Sequence, residues 1–220
     1  MTIRARLYLV RHGETAANKE RIIQGQLDVP LNDHGLKQAR ELGKAMQSVK
    51  FDAAYTSDLC RAAVTAQEAI AHQPEVVLIR TQELRERHMG SLQGRPGSEW
   101  RGNAQGMEAS TALMARALTW WDRMLAENGV TRQGEEGDVV HILAVSHGGW
   151  IGTLLRGLIE RKWAKCGKGV SIGETLNCSV TIIEVKHDRS AVIAQFGGVS
   201  HLDHNDDVVV GNADEQAVKK

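Results

Sequence analysis

Short apolar runs alternate with amphipathic segments along most of the chain, and this alternation restricts the fold more than any other feature. The apolar runs predict six strands, at 7–10, 51–56, 75–84, 138–145, 175–185 and 190–200. Apolar side chains recur at helical spacing elsewhere and predict helices at 33–47, 57–70, 107–127 and 151–159. Strands joined by helices pair in parallel and are covered on both faces. The chain is therefore predicted to have an α/β fold, a three-layer α/β/α sandwich with a mostly parallel six-stranded sheet. The last two strands lack a helix between them and are expected to be antiparallel.

No internal repeat or low-complexity stretch divides the sequence, so we expect residues 1–220 to form a single domain. The segment 90–106 interrupts the regular pattern, because it holds five glycines and a proline in 17 residues. We interpret this segment as a mobile flap. Residues 203–220 are expected to be a disordered tail.

The charge balance argues against two classes of partner. Lys plus Arg and Asp plus Glu both total 27, which gives a formal net charge of zero. A nucleic-acid or anionic-membrane surface normally needs an excess of basic residues. No apolar run reaches the roughly 18 residues of a membrane span, and the N-terminal run is too short for a signal peptide. Three separated cysteines without a C-x-x-C motif fit a reducing cytoplasm. The oligomeric state stays open, with a homodimer as one outcome.

Two histidines follow predicted strands at the point where each strand ends. His12 comes after the first strand and His147 after the fourth. The carboxyl ends of parallel strands meet at one edge of a sheet, where open α/β folds bind their ligands. Arg11 adjoins the first histidine, and Arg61 lies in the first turn of the helix after the second strand. A guanidinium matches phosphate oxygens with its planar fork. Two imidazoles and two guanidiniums at one edge therefore predict a site for a phosphoryl group.

A nucleotide-binding loop does not explain this set. The chain has no Walker motif, and "GKGVSIG" follows no strand and has the wrong glycine spacing for a dinucleotide site. Glu86 comes just after the third predicted strand. A carboxylic acid there can protonate a leaving alkoxide.

Four ordered motifs, "LVRHGET", "SDLCRA", "LRERHMGSLQG" and "AVSHGG", resemble the histidine phosphatase superfamily, the phosphoglycerate mutase-like clan. The resemblance covers most of residues 7–202. It implies that His12 is the nucleophile and forms a phosphohistidine. It also implies that Arg11, Arg61 and His147 hold the phosphoryl oxygens, and that Glu86 is first the general acid and then the general base.

The resemblance extends to the surroundings of these groups. Asn18 would donate to the phosphate, and the backbone at Gly25 and Gly148 would line the pocket. Arg87 and the flap residue Trp100 are further candidates for substrate contact. No metal ion or other cofactor is implied, because the arginines supply the positive charge.

The flap distinguishes two branches of the family. Mutases usually have a tyrosine where Met89 stands, and a longer insert with a lysine and paired arginines. Here the flap is short and holds Arg95 and Arg101 without a lysine. The "SHGG" motif and the "SVTIIEV" strand resemble the broad-specificity phosphatase branch. A mutase must protect its phosphohistidine from water, which a short glycine-rich flap does badly, so we expect hydrolysis of small phosphorylated metabolites. A cofactor-dependent phosphoglycerate mutase is the alternative.

A different class of enzyme also has some support. "AVSHG" approaches the nucleophile elbow of a serine α/β-hydrolase, with Ser146 as nucleophile and Asp188 and His201 in the required order. That interpretation leaves the first motif, Arg61 and Glu86 unexplained. A binding module without catalysis is weaker still, because both the nucleophile and the acid are present.

Overall fold

The computed structural model describes residues 2–100, 102, 104–130, 138–202 and 213–214. Within these residues one sheet has seven strands, in the order β3-β2-β4-β1-β6-β7-β5. The strands are β1 Ile3–Arg11, β2 Ala53–Ser57, β3 Leu78–Thr81, β4 Val140–Ser146, β5 Ala164–Cys166, β6 Val180–Lys186 and β7 Ala191–Gly198. The helices are α1 Ala16–Lys19, α2 Asp33–Met46, α3 Cys60–Ala69, α4 Ser110–Glu127 and α5 Gly148–Glu160.

The sheet is mostly parallel, as predicted. Strands β3, β2, β4 and β1 are parallel neighbours, while β6 is antiparallel to both β1 and β7. The predicted number of six strands was wrong, because β5 pairs with β7 as well. That strand has three residues, too few to show a period in the sequence. The third predicted strand was too long: it spans only Leu78–Thr81, and a 3₁₀ turn follows at Gln82–Leu84.

The alternation of side chains along β1 divides the core into two layers. Leu7 and Leu9 point to one face and pack in the cluster that contains the apolar stripes of α4 and α5. Tyr8 and Val10 point to the other face and pack in the cluster with α2 and α3. Successive side chains of a strand point to opposite faces, so a central strand that is apolar throughout is covered on both sides. The predicted three-layer arrangement is confirmed.

Three helix starts differ from prediction, and one of them is that of α5, which begins at Gly148 and not at residue 151. The third helix begins at Cys60 with Leu59 as its N-cap, while the Ser57 hydroxyl accepts the Leu59 N–H at 3.3 Å. The fourth helix begins at Ser110 and not at residue 107, because Met107 forms a bridge with Met89. Helix boundaries depend on such local hydrogen bonds, which periodicity does not encode.

The glycine-rich segment is tied to the loop after α1 by backbone hydrogen bonds. It contains 3₁₀ turns at Gly90–Leu92 and Gly97–Glu99. The Ile23 N–H donates to the Arg95 carbonyl, and the Gly94 N–H donates to the Ile23 carbonyl. The predicted disorder of the tail concerns residues 203–212 and 215–220, which lie outside the described residues. Ala213 and Asp214 are described, and both are buried.

The sheet register brings the two histidine loops together. Arg11, the last residue of β1, is paired with Ser146, the last residue of β4. The next residues, His12 and His147, therefore leave the sheet side by side at its carboxyl edge. The ends of β2 and β3 open onto the same edge because both strands run parallel to β4.

Candidate active site

His12 is buried and held in one tautomer. Its Nδ1 lies 2.7 Å from the carbonyl oxygen of Gly13, so Nδ1 carries the proton and donates it. The opposite ring nitrogen, Nε2, accepts from the Nε of Arg61 at 3.3 Å. Burial and then the charges of Arg61 and Arg11 hold the pKa of His12 well below its usual range. The ring is therefore neutral at physiological pH, with a lone pair on Nε2.

His147 faces His12 across the site, with the two ring centroids 5.1 Å apart. It is the N-cap residue of α5 and is fully buried. Neither of its ring nitrogens has a hydrogen-bond partner in the part of the chain that the structure describes. Burial and then the charge of Arg61 lower its pKa strongly. An imidazole buried without partners costs free energy, and a bound ligand with acceptor oxygens would satisfy it.

Two buried arginines complete the pocket around the imidazoles. Arg61 donates to the carbonyl oxygens of Gly25 and Leu27, both at 2.7 Å, besides its contact with His12. Arg11 donates through Nη1 to the Thr175 carbonyl at 2.6 Å, while its Nε has no partner among the described residues. These hydrogen bonds fix the guanidinium planes before a ligand arrives. The two buried cations make the pocket suitable for an anion.

Glu86 is the buried acid of the site. Its two carboxyl oxygens accept the backbone N–H of Arg87 at 2.8 Å and of Gly149 at 2.9 Å. A Cβ on Gly149 would lie 2.6 Å from Oε1, so only glycine allows this approach. Burial, followed by the charge of Asp214, raises the pKa of Glu86 to about 7. A carboxyl group with that pKa can both give and take a proton near neutral pH.

Three other predicted residues lie around the same pocket. Asn18 is buried, and its side-chain oxygen accepts from the N–H and hydroxyl of Thr15 in a capping box, which leaves the amide NH₂ as the donor. Gly25 adopts φ +51°, and its carbonyl accepts from Arg61, which also donates to Nε2 of His12. Gly148 is the first residue of α5, where backbone N–H groups have no partner within the helix.

Two predicted contact residues, Arg87 and Trp100, contact other parts of the protein, and their contact with substrate stays a prediction. The Arg87 guanidinium donates to the Glu108 carbonyl at 2.8 Å, on the side of α4. Trp100 packs with Ile23 and Met89 in a small apolar cluster under the flap.

The serine-hydrolase alternative does not fit the geometry. The Ser146 hydroxyl is buried and donates to the Leu84 carbonyl at 2.7 Å. The ring of His201 lies 3.1 Å from the Cys178 carbonyl, and Asp188 bonds Ser190 in the exposed hairpin between β6 and β7. No base in the described part of the chain activates Ser146. The sequence "AVSHG" is similar to a nucleophile elbow because His147, like the elbow serine, follows directly after the end of a strand.

The structure adds residues that sequence reasoning missed. Asn177 donates its side-chain amide to the His12 carbonyl at 2.9 Å, and the Thr65 hydroxyl accepts the Gly13 N–H at 3.0 Å. Asp214 accepts the N–H groups of Gln24 and Gly25, both at 3.0 Å. No local pattern marks these residues, because each reaches the site from a distant part of the chain.

The arrangement of these groups defines a class of protein. A neutral imidazole presents its lone pair to a pocket formed by two buried arginines, a second imidazole and a protonatable carboxyl group. The pocket is suited to transfer of a phosphoryl group from an oxygen to a histidine.

Comparison with known proteins agrees with this geometry. The model of the histidine phosphatase superfamily (branch 1) matches residues 7–196. Phosphoglycerate mutase-like protein 4 of Arabidopsis thaliana is 34% identical over 217 residues, which cover 90% of this chain and 87% of the relative. A broad-specificity phosphatase of Saccharomyces cerevisiae is 33% identical, and the match covers 93% of this chain and 90% of the relative. A metal-independent phosphoserine phosphatase of Arabidopsis thaliana is also 33% identical, and the match covers 89% of this chain and 82% of the relative.

The chain belongs to the histidine phosphatase superfamily, as the four motifs predicted. It is a phosphoric monoester hydrolase of that family, and this activity is favoured over both the mutase and the serine-hydrolase alternatives. Among the described residues, no helix is both long enough and apolar enough to cross a bilayer.

Proposed function

We propose that this phosphatase hydrolyses small phosphorylated metabolites through a phosphohistidine at Nε2 of His12, without a metal ion. The observation that carries the proposal is the tautomer of His12. Its Nδ1 proton is engaged by the Gly13 carbonyl, so the lone pair of Nε2 faces the arginines. A nucleophile must present a lone pair towards the phosphorus, and a neutral imidazole held in this way needs no further deprotonation.

In the first step, Nε2 of His12 bonds to phosphorus and the ester P–O bond breaks. Arg11, Arg61 and His147 bind the three peripheral oxygens, on which negative charge is spread in the transition state. The electron pair of the broken bond stays on the substrate oxygen. Glu86 in its protonated form gives that oxygen its proton, and an alcohol leaves. The chain then carries a phosphohistidine and an ionised Glu86.

In the second step, water attacks the phosphohistidine. The ionised Glu86 takes a proton from the water as its oxygen bonds to phosphorus. The N–P bond breaks, the electron pair returns to Nε2 of His12, and inorganic phosphate leaves. The raised pKa of Glu86 serves both steps, because the group gives a proton in the first and accepts one in the second. Asn18 donates to the phosphoryl group in both.

Substrate class, location and assembly belong to the same proposal. The two buried arginines supply the positive charge that a divalent cation supplies in other phosphoryl-transfer enzymes, which supports the metal-independent mechanism. We place the enzyme in the cytoplasm, acting as a single domain on small metabolites, and as a homodimer if it associates. Sedimentation velocity at micromolar concentration measures that association.

The test is to trap the phosphoenzyme. Protein mixed with a ³²P-labelled phosphomonoester and quenched within milliseconds should carry a phosphate that is labile in acid and stable in base. His12→Ala should abolish this label. His187→Ala is the matched control, because His187 is exposed in the hairpin between β6 and β7. A label that survives in His12→Ala, or that has the stability of a phosphoserine, would refute the mechanism.

A further inference from the structure

Two residues near the C-terminus, Ala213 and Asp214, are docked against the active site. Ala213 is buried in the apolar cluster formed with Ile23 and Met89. A Cβ on Gly97 would lie 2.9 Å from the Ala213 Cβ, so the missing side chain at that position makes room for the alanine. We call Ala213 and Asp214 the docked segment.

The Asp214 carboxylate binds to a pair of backbone donors that we call the anion seat, the N–H groups of Gln24 and Gly25. One carboxylate oxygen accepts both N–H groups at 3.0 Å. Gly25 has φ +51°, and consecutive N–H groups around a left-handed residue form a concave site for anions. The seat therefore has the chemistry of an anion subsite, and in this structure a group of the chain itself fills it.

The seat adjoins the reaction centre. The Arg61 guanidinium contacts both sides, because its Nε donates to Nε2 of His12 and its Nη2 donates to the Gly25 carbonyl. Asp214 also lies within electrostatic reach of Arg11 and Glu86. A second anionic group carried on a small phosphate ester would reach the seat while its phosphoryl group faced His12.

We propose that Asp214 is a specificity-determining residue, which fills the anion seat and selects against substrates with a second anionic group close to the phosphate. The inference rests on the proposed phosphatase function. With Asp214 in place, such a group meets a like charge and finds both donors engaged. Without Asp214, the two N–H groups are free to bind it. The buried Asp214 carboxylate also offsets part of the positive charge of the two arginines, which increases the discrimination against substrates with a second anionic group.

The role of Asp214 differs from that of the acid and the nucleophile. It does not belong to the steps of bond formation and breakage, so its removal changes which substrate is preferred.

The experiment compares two esters that differ in one group. In 3-phosphoglycerate a carboxylate stands where glycerol 3-phosphate has a hydroxymethyl group. The measured quantity is the ratio of kcat/KM for the first ester to kcat/KM for the second. Asp214→Asn removes the charge, and Ala213→Gln keeps the charge but places a bulky polar group where the apolar cluster cannot bury it. Both should raise the ratio about tenfold, the effect of removing one like charge at partly screened contact distance.

Asp188→Asn is the matched control, because Asp188 is exposed in the hairpin between β6 and β7, and its ratio should stay at the wild-type value. If Ala213→Gln does not fold, Gly97→Ala replaces it, since its new Cβ displaces the docked alanine. The proposal is overturned if the ratio changes less than twofold in Asp214→Asn. It is also overturned if the ratio rises in Asp214→Asn but not in the variant that displaces the docked segment, Ala213→Gln or Gly97→Ala. If no variant hydrolyses either ester, the phosphatase function fails. In that case the role of Asp214 is still tested by calorimetry, which measures the dissociation constants of the two esters and gives the ratio of their affinities.

Discussion

Replacement of the proposed acid, Glu86→Gln, should slow phosphorylation of the enzyme according to the leaving group. An alkoxide is a strong base and needs a proton as its P–O bond breaks, whereas a nitrophenolate leaves without one. Glutamine cannot give that proton. Phosphorylation by an alkyl phosphate should therefore slow roughly 10²–10⁴-fold, the usual effect of removing a positioned acid. Phosphorylation by nitrophenyl phosphate should slow much less.

The structure also sets the pH at which this difference appears. Burial raises the pKa of Glu86 to about 7. About nine-tenths of the group is then protonated at pH 6 and about one-tenth at pH 8. The acid is lost as pH rises through 7, so the wild-type rate with the alkyl ester should fall about tenfold per pH unit above that value. Glu86→Gln should lack this decline. Asp214→Asn should move it to lower pH, because the charge of Asp214 helps to raise the pKa of Glu86.

The assay must isolate the first chemical step. Single-turnover rates in a rapid-quench instrument do so, since hydrolysis of the phosphohistidine can limit the steady state. Glutamine has one acceptor oxygen for the two N–H groups that Glu86 binds, and the unsatisfied N–H costs about 1–3 kcal/mol of folding free energy. This loss is the same for both substrates, so the comparison between them cancels it.

A second buried carboxylate provides the control. Glu14 accepts from the Asn32 side chain at 2.8 Å and ties the first loop to α2. Glu14→Gln should affect both substrates equally. Equal slowing of the two substrates in Glu86→Gln, or an unchanged decline above pH 7, would show that Glu86 is not the acid.

Three further predictions follow from the same site. Activity should persist after dialysis against a chelator. If activity is lost in that step and a divalent cation restores it, the metal-independent mechanism is wrong. Incubation with a phosphoglycerate and its bisphosphate should release inorganic phosphate faster than it interconverts the isomers, as measured by ³¹P NMR; the opposite order would indicate a mutase. Gly149→Ala should reduce kcat/KM by on the order of 10²-fold, because the new Cβ would lie 2.6 Å from Oε1 of Glu86 and displace it. An unaltered kcat/KM in this variant would show that the carboxyl position tolerates displacement.

The amino-acid sequence was sufficient to predict the fold class and to bring Arg11, Arg61 and His147 together around His12. Apolar periodicity marks each of the longer strands, and the two histidines are adjacent to strands that had to be parallel. The four motifs that carry the resemblance each lie within a few residues of a strand end. These are local signals, since a strand and the loop that follows it are continuous in the chain.

The sequence was less informative where a residue's role depends on distant contacts. The three-residue strand β5 gives no periodic signal, and it is held by pairing with β7. Contact of Trp100 and Arg87 with substrate stays a prediction, and the structure adds that Trp100 packs with Ile23 and Met89 and that Arg87 donates to the Glu108 carbonyl. Local composition does not determine the direction of a side chain in an irregular segment.

The tertiary structure alone decided the protonation chemistry and the occupant of the anion seat. The pKa of Glu86 depends on its burial and on the charge of Asp214, which is 128 positions further along the sequence. The docked segment lies within residues 203–220, which are predicted to be a disordered tail because they are acidic and terminal. It is buried since Gln24, Gly25 and Gly97 together form a surface that fits it. Charge burial and shape complementarity arise only when distant segments meet, and no pattern within a single segment encodes them.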